Sequence, residues 1–126
     1  MYFLNVVNCV LQFVVLLGAD EITVYGDAIN KVGSYGIALS AYYSGKPVYV
    51  VTPLLKLHYQ TLVQPPIIEQ RDAKEIWKNA PKGLRIINPA FDFIPRTFIT
   101  GYLTEFGLLK PEELEDKILA NYPWVK

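Results

Sequence analysis

The run Phe13-Val14-Val15-Leu16-Leu17, closed by Gly18-Ala19-Asp20, constrains the fold more than any other feature of this chain. Unbroken apolar residues bounded by a glycine read as a strand buried on both faces, the pattern of a central strand in a parallel sheet. Asp20 then stands just past the carboxyl end of that strand, where open α/β sheets bind their ligands. Ten residues later, Asn30-Lys31 opens an apolar, helix-like segment. The spacing predicts a helix from about Lys31 to Ser44, with Asn30 as its cap and Gly45 at its C-terminal end. Ile37, Ala38 and Ala41 lie on one face of it. Gly33 and Gly36 weaken that helix, which suits close packing or close backbone approach to a ligand. A helix N-terminus offers unpaired N–H groups and the positive end of the macrodipole to an anion. In one reading a carboxylate and a phosphate-sized anion site share a crevice; in the other, Asp20 caps a turn and Lys31 is solvated.

The length of 126 residues suits one domain, 1–126, with one modest core, and 52% apolar content excludes a disordered chain. Twelve basic and twelve acidic residues leave no net charge and no basic block, which argues against a nucleic-acid partner. Cys9 and His58 are the sole cysteine and histidine, so an internal disulfide and a Cys/His metal cluster are both excluded. No metal site is expected, and the compartment expected is the reducing cytoplasm. The apolar stretch Tyr2–Leu17 lacks the early positive charge and small-residue cleavage site of a signal peptide. It is shorter than the roughly 20 residues of a membrane span, and Asn5, Asn8 and Gln12 interrupt it at helical spacing. It is read as a mostly buried helix, Tyr2–Val10, leading into the strand Phe13–Leu17, with Cys9 a packed core thiol and no membrane anchor.

Further along, Pro47–Thr52 reads as a second buried strand and Leu84–Ile87 as a third. Arg71–Trp77 reads as a short surface helix capped by Asp72, with Trp77 packed down on the sheet. A helix is predicted from Pro95 to about Glu105, with Phe98, Ile99 and Leu103 on one side and Gly107 closing it. Asp92 is read as the cap of that helix in preference to a substrate ligand. Pro111 opens a last helix with acidic residues in its first turn, where the dipole favours them. Strands alternating with helices predict an α/β, three-layer domain with a mostly parallel sheet, helices on both faces and right-handed crossovers. Gly33-Ser34-Tyr35-Gly36 falls short of a dinucleotide-binding glycine pattern, and His58, with no nucleophile beside it, is read as a surface residue.

Five segments together carry a family resemblance: Gly18-Ala19-Asp20, Asp27–Tyr35, Pro47–Val50, Ile68-Glu69-Gln70-Arg71-Asp72 and Asn88-Pro89-Ala90-Phe91-Asp92. Between about Phe13 and Gly107 the chain resembles the C-terminal half of a superfamily of both enzymes and non-enzymes. That superfamily joins the regulatory subunits of initiation factor 2B to isomerases of methylthioribose 1-phosphate and ribose 1,5-bisphosphate. The resemblance implies a Rossmann-like fold. It implies that Asp20 is the catalytic carboxylate, an acid–base or electrostatic partner of a cysteine during ring opening and hydrogen transfer between C1 and C2. It implies that Asn30 and Lys31, followed by Gly33 and Ser34, contact the substrate phosphate. Factor subunits usually carry another residue, such as His or Glu, after Gly-Ala, so Asp20 leans toward the isomerases, as does Asp27. Gln70 departs from the isomerase form Ile-Glu-Glu-Arg-Asp. Superfamily members are much longer, and their N-terminal half supplies arginine-rich phosphate contacts and the catalytic cysteine. Cys9 is not in that cysteine's motif, and the start at Met1 resembles an entry point inside the larger fold. The expectation is a domain that binds a sugar phosphate without a cofactor and does not turn over alone; the rival is a regulatory or assembly module. A two-fold homodimer is expected, with the Tyr2–Val10 helix or the helix after Pro95 contributing. The alternative partner is a separate chain supplying the missing half.

Overall fold

A computed structural model describes residues 14–126. The described elements, in chain order, are β1 (Val15–Leu17), β2 (Glu21–Thr23), β3 (Ala28–Lys31), α1 (Ser34–Tyr43), β4 (Val48–Val51), β5 (Leu57–His58), β6 (Phe91–Ile94), β7 (Gly101–Thr104), β8 (Gly107–Leu109) and α2 (Leu114–Asn121). The strands make two four-stranded sheets, ordered β1-β4-β7-β8 and β5-β2-β3-β6. In the first sheet β4 pairs parallel with β1 and β7, and β8 closes an antiparallel hairpin on β7. In the second, β3 pairs antiparallel with both β2 and β6, while β2 pairs parallel with β5.

Strand alternation sets which face of each sheet is buried. Val15 and Val48 face each other across the first sheet, as do Val50, Tyr102 and Leu109, and all are buried. Across the second sheet the row Leu57–Ile22–Ala28–Ile94 is buried likewise. These two inner faces share one core with Ala38 and Ala41 of α1 and with Leu114 and Ile118 of α2. The opposite face of the first sheet carries Leu16, Val51, Leu103 and Leu108, all exposed.

The α/β class holds, and β1 and β4 fall within the expected strands Phe13–Leu17 and Pro47–Thr52. The expected helix Tyr2–Val10, Cys9 and Phe13 lie outside the described residues. A mostly parallel arrangement is confined to the first sheet; the second is mixed because the turn at Val24–Asp27 folds β2 back on β3 as a hairpin. Gly26 sits in that turn at φ 85°, and a Cβ there would lie 2.5 Å from Pro111 Cβ, so both conformation and space require glycine. The third parallel strand is β7, not Leu84–Ile87, which is irregular with Leu84 and Ile87 exposed. Where a helix was expected from Pro95 to Glu105, a single 3₁₀ turn, Arg96–Phe98, precedes β7. Gly107, expected to close that helix, instead enters β8 at φ 91°. Asp72 does cap a turn, accepting from the Lys74 N–H at 2.9 Å, but the turn is 3₁₀ and Trp77 is half exposed rather than packed down.

Candidate functional site

Asn30 and Lys31 do not open the helix; they end β3. The helix starts three residues later, at Ser34, after Gly33 turns the chain at φ 106°. The expected Asn30 cap is therefore replaced by a different device. Asp92 on β6 accepts hydrogen bonds from the backbone N–H groups of Gly33 at 2.7 Å and Tyr35 at 2.9 Å, both on Oδ2. Asp92 thus caps a helix as expected, but α1 rather than a helix near Pro95. Gly45, at φ 65°, ends α1 as the sequence indicated, and the Lys46 N–H returns to the Ala41 carbonyl at 2.9 Å. Of the three residues expected on the inner face, Ala38 and Ala41 are buried while Ile37 is exposed.

The strand register brings three polar residues into one row. Asn30 pairs with Asp92 across β3 and β6. On the other side Glu21 pairs with Ile29, and the Asp20 N–H donates to the Ile29 carbonyl at 2.8 Å, which sets Asp20 beside Asn30. Asp20 is exposed at the start of β2, past the carboxyl end of β1. Gly18 closes the other side: a Cβ there would sit 3.8 Å from Asn30 Oδ1. The Asn30 amide donates to Ser34 Oγ at 2.9 Å, and the Ser34 hydroxyl donates to the Lys31 carbonyl at 2.7 Å. Asn30 and Ser34 are thereby locked together at the mouth of α1. Lys31 leaves β3 on the opposite side from Asn30 by strand alternation. It is exposed, and among the described residues no carboxylate lies within ion-pairing distance of it. Gly33 and Gly36 have open space where a Cβ would point, so neither serves close packing; Gly33 is needed for its backbone conformation.

Other singled-out residues have structural duties. Asp27 accepts from the Thr23 hydroxyl at 3.1 Å and the Arg96 N–H at 2.9 Å, which ties the β2–β3 turn to the segment before β7. His58 lies on the surface, its Nδ1 3.1 Å from Glu21 Oε1. Among the described residues no group of His, Cys, Asp and Glu could hold a metal ion, and no helix is long and apolar enough to cross a membrane.

An acidic side chain past a strand end, set next to an amide–hydroxyl pair at a helix mouth, defines a polar site of the α/β type at the carboxyl edge of a sheet. Comparison with known proteins gives the family. The profile of the Initiation factor 2 subunit family matches residues 2–111, and the chain belongs to that family. It is 41% identical over 108 residues to a methylthioribose-1-phosphate isomerase of Heliobacterium modesticaldum, a match covering 80% of this chain and 31% of that protein. It is 40% identical over 116 residues to a 5-deoxyribose 1-phosphate isomerase of Moorella thermoacetica, covering 85% and 33%. Among solved structures, it is similar to the 5-methylthioribose 1-phosphate isomerase of Pyrococcus horikoshii OT3, with a TM-score of 0.72, 29% identity and coverage of 92% and 36%. Translation initiation factor eIF-2B subunit delta from A. fulgidus gives a TM-score of 0.70 at 29% identity, covering 96% and 36%. The chain spans about a third of the length of the relatives it matches.

Proposed function

We propose that this chain is the sugar-phosphate-binding portion of an isomerase-type member of the family, acting in the cytoplasm on a phosphosugar such as methylthioribose 1-phosphate. The observation that carries the reading is the adjacency of Asp20 and Asn30 across β2 and β3, on a chain about 40% identical to isomerases of that name. Asp20 is the acid–base or electrostatic group toward the sugar carbons. Asn30, Gly33 and Ser34 form the polar mouth of α1, and Lys31, exposed at the end of β3, supplies the cation for the phosphate. The part of the fold given by this sequence, about a third of the length of those relatives, is proposed to bind the ligand and not to turn it over by itself.

The similarity to an initiation-factor subunit favours a second reading, a regulatory or assembly module in translation initiation. We further propose a Rossmann-like, three-layer arrangement in which another layer covers the exposed apolar face of the first sheet. A second copy of the chain, or a separate chain carrying the rest of the fold, supplies that cover. NMR titration with inorganic phosphate and with methylthioribose 1-phosphate tests the primary reading. Shifts confined to Asn30, Lys31, Ser34 and Asp20 are expected, with Lys31→Ala weakening binding about ten-fold. No shifts with either ligand, or equal affinity after Lys31→Ala, would favour the assembly module.

A further inference from the structure

We propose that Asp92 is a positioning residue for the site, holding Asn30 and Ser34 in place through the turn between β3 and α1. The inference rests on the ligand-binding reading above only for its functional consequence; its geometric content stands apart. Besides the Ser34 side chain, which accepts from the Asn30 amide and donates to the Lys31 carbonyl, that turn has little else to hold it. Gly33 is left-handed, at φ 106°, and nothing packs within 4 Å of where its Cβ would be. Among backbone contacts, the neighbouring Val32 N–H reaches the Ala90 carbonyl only at 3.4 Å. Against this, one oxygen of Asp92 takes two N–H groups, at 2.7 and 2.9 Å, from either side of Ser34. Hydrogen bonds to a charged acceptor are about twice as strong as neutral ones.

The clamp also reaches Asn30. The β3–β6 register sets Asp92 directly opposite Asn30, so the strand that presents the amide and the helix end that presents the hydroxyl are tied to one carboxylate. Loosening the turn separates the Asn30 amide from Ser34 Oγ, now 2.9 Å apart. The same carboxylate occupies two of the helix-end donors that an incoming phosphate would otherwise use. Phosphate is thereby directed to the Asn30 amide, which Ser34 holds in place, and to Lys31.

The test compares Asp92→Asn, which keeps an acceptor oxygen, with Asp92→Ala, which does not, using the full chain. Tyr102→Phe is the control for a loss of stability far from the site. In ligand-free 1H–15N spectra, the amide peaks of Gly33 and Tyr35 and the Asn30 side-chain amide move in Asp92→Ala. They stay near their unmutated positions in Asp92→Asn and in Tyr102→Phe. Inorganic phosphate then binds about ten-fold more weakly to Asp92→Ala, within about two- to three-fold of normal to Asp92→Asn, and normally to Tyr102→Phe. Unmoved Asn30 peaks in Asp92→Ala, or phosphate binding as tight as or tighter than that of the unmutated chain, overturns the inference. Moved peaks with no phosphate binding by any form support the clamp and overturn the functional reading instead.

Discussion

At the residue scale, one buried hydrogen bond that sequence spacing does not reveal ties the β2–β3 turn to the first sheet, beside the core the two sheets share. Tyr102, on β7 of the first sheet, is fully buried and donates its hydroxyl to the Gly26 carbonyl at 2.9 Å, 76 positions away. Burial, with the nearby Asp27 carboxylate, pushes the Tyr102 hydroxyl well above its ordinary pKa, which favours its protonated, hydrogen-bond-donating form. Tyr102→Phe is expected to cost about 1–2 kcal/mol, because it strands a buried carbonyl without enlarging the core. Chemical denaturation reads the difference; an unchanged midpoint would mean that the bond adds no net stability. The site follows the same rule. Asp20 was legible because Gly18 visibly ends an apolar run, and the carboxylate after it falls at a strand end. The role of Asp92 was not, because its donors, Gly33 and Tyr35, lie 59 and 57 positions away and meet it only through the β3–β6 pairing.

At the element scale, what was legible depended on whether an apolar run carried its own signal. β1 and β4 are continuous apolar stretches and read as strands without knowledge of partners. In β7, a glycine and a threonine break the apolar run. Phe98, Ile99 and Leu103 suggest a helical face, yet Ile99, Gly101 and Leu103 alternate equally well. The Thr100 N–H donates to the Val48 carbonyl at 2.8 Å, and Gly101 pairs with Tyr49, so long-range pairing decides for the strand. Leu84–Ile87 has the opposite history: a strand-like run that finds no ladder among the described residues. Expectation and structure agree better at α2. A 3₁₀ turn at Pro111–Glu113 leads into it, and Leu114 and Ile118, one turn apart, are fully buried in the core. Ile118→Ala removes one of these two anchors and is expected to cost about 2–4 kcal/mol. Loss of cooperativity in thermal unfolding, with α2 melting first, would show instead that the helix is a separable unit.

At the scale of the whole molecule, the outer face of the first sheet leaves a row of apolar side chains exposed among the described residues. Parallel strands buried on one side only are unusual, because crossover elements normally cover both faces. Here β1, β4, β7 and β8 leave Leu16, Val51, Leu103 and Leu108 exposed on one surface, with Tyr49 half buried among them. A contiguous apolar patch of this kind marks an interface. No helix follows Pro95 to supply the contact; β7 stands there, and its Leu103 lies on this face. Back-to-back association of two copies would cover both patches with one two-fold contact, the commonest closed arrangement. Light scattering of the isolated chain should therefore show the mass doubling as concentration rises, and Leu108→Glu should return it to a monomer with unchanged circular dichroism. Leu108 is 59% exposed, so the substitution introduces charge into the patch without emptying the core. A monomer at every concentration would rule out association of two copies through this face.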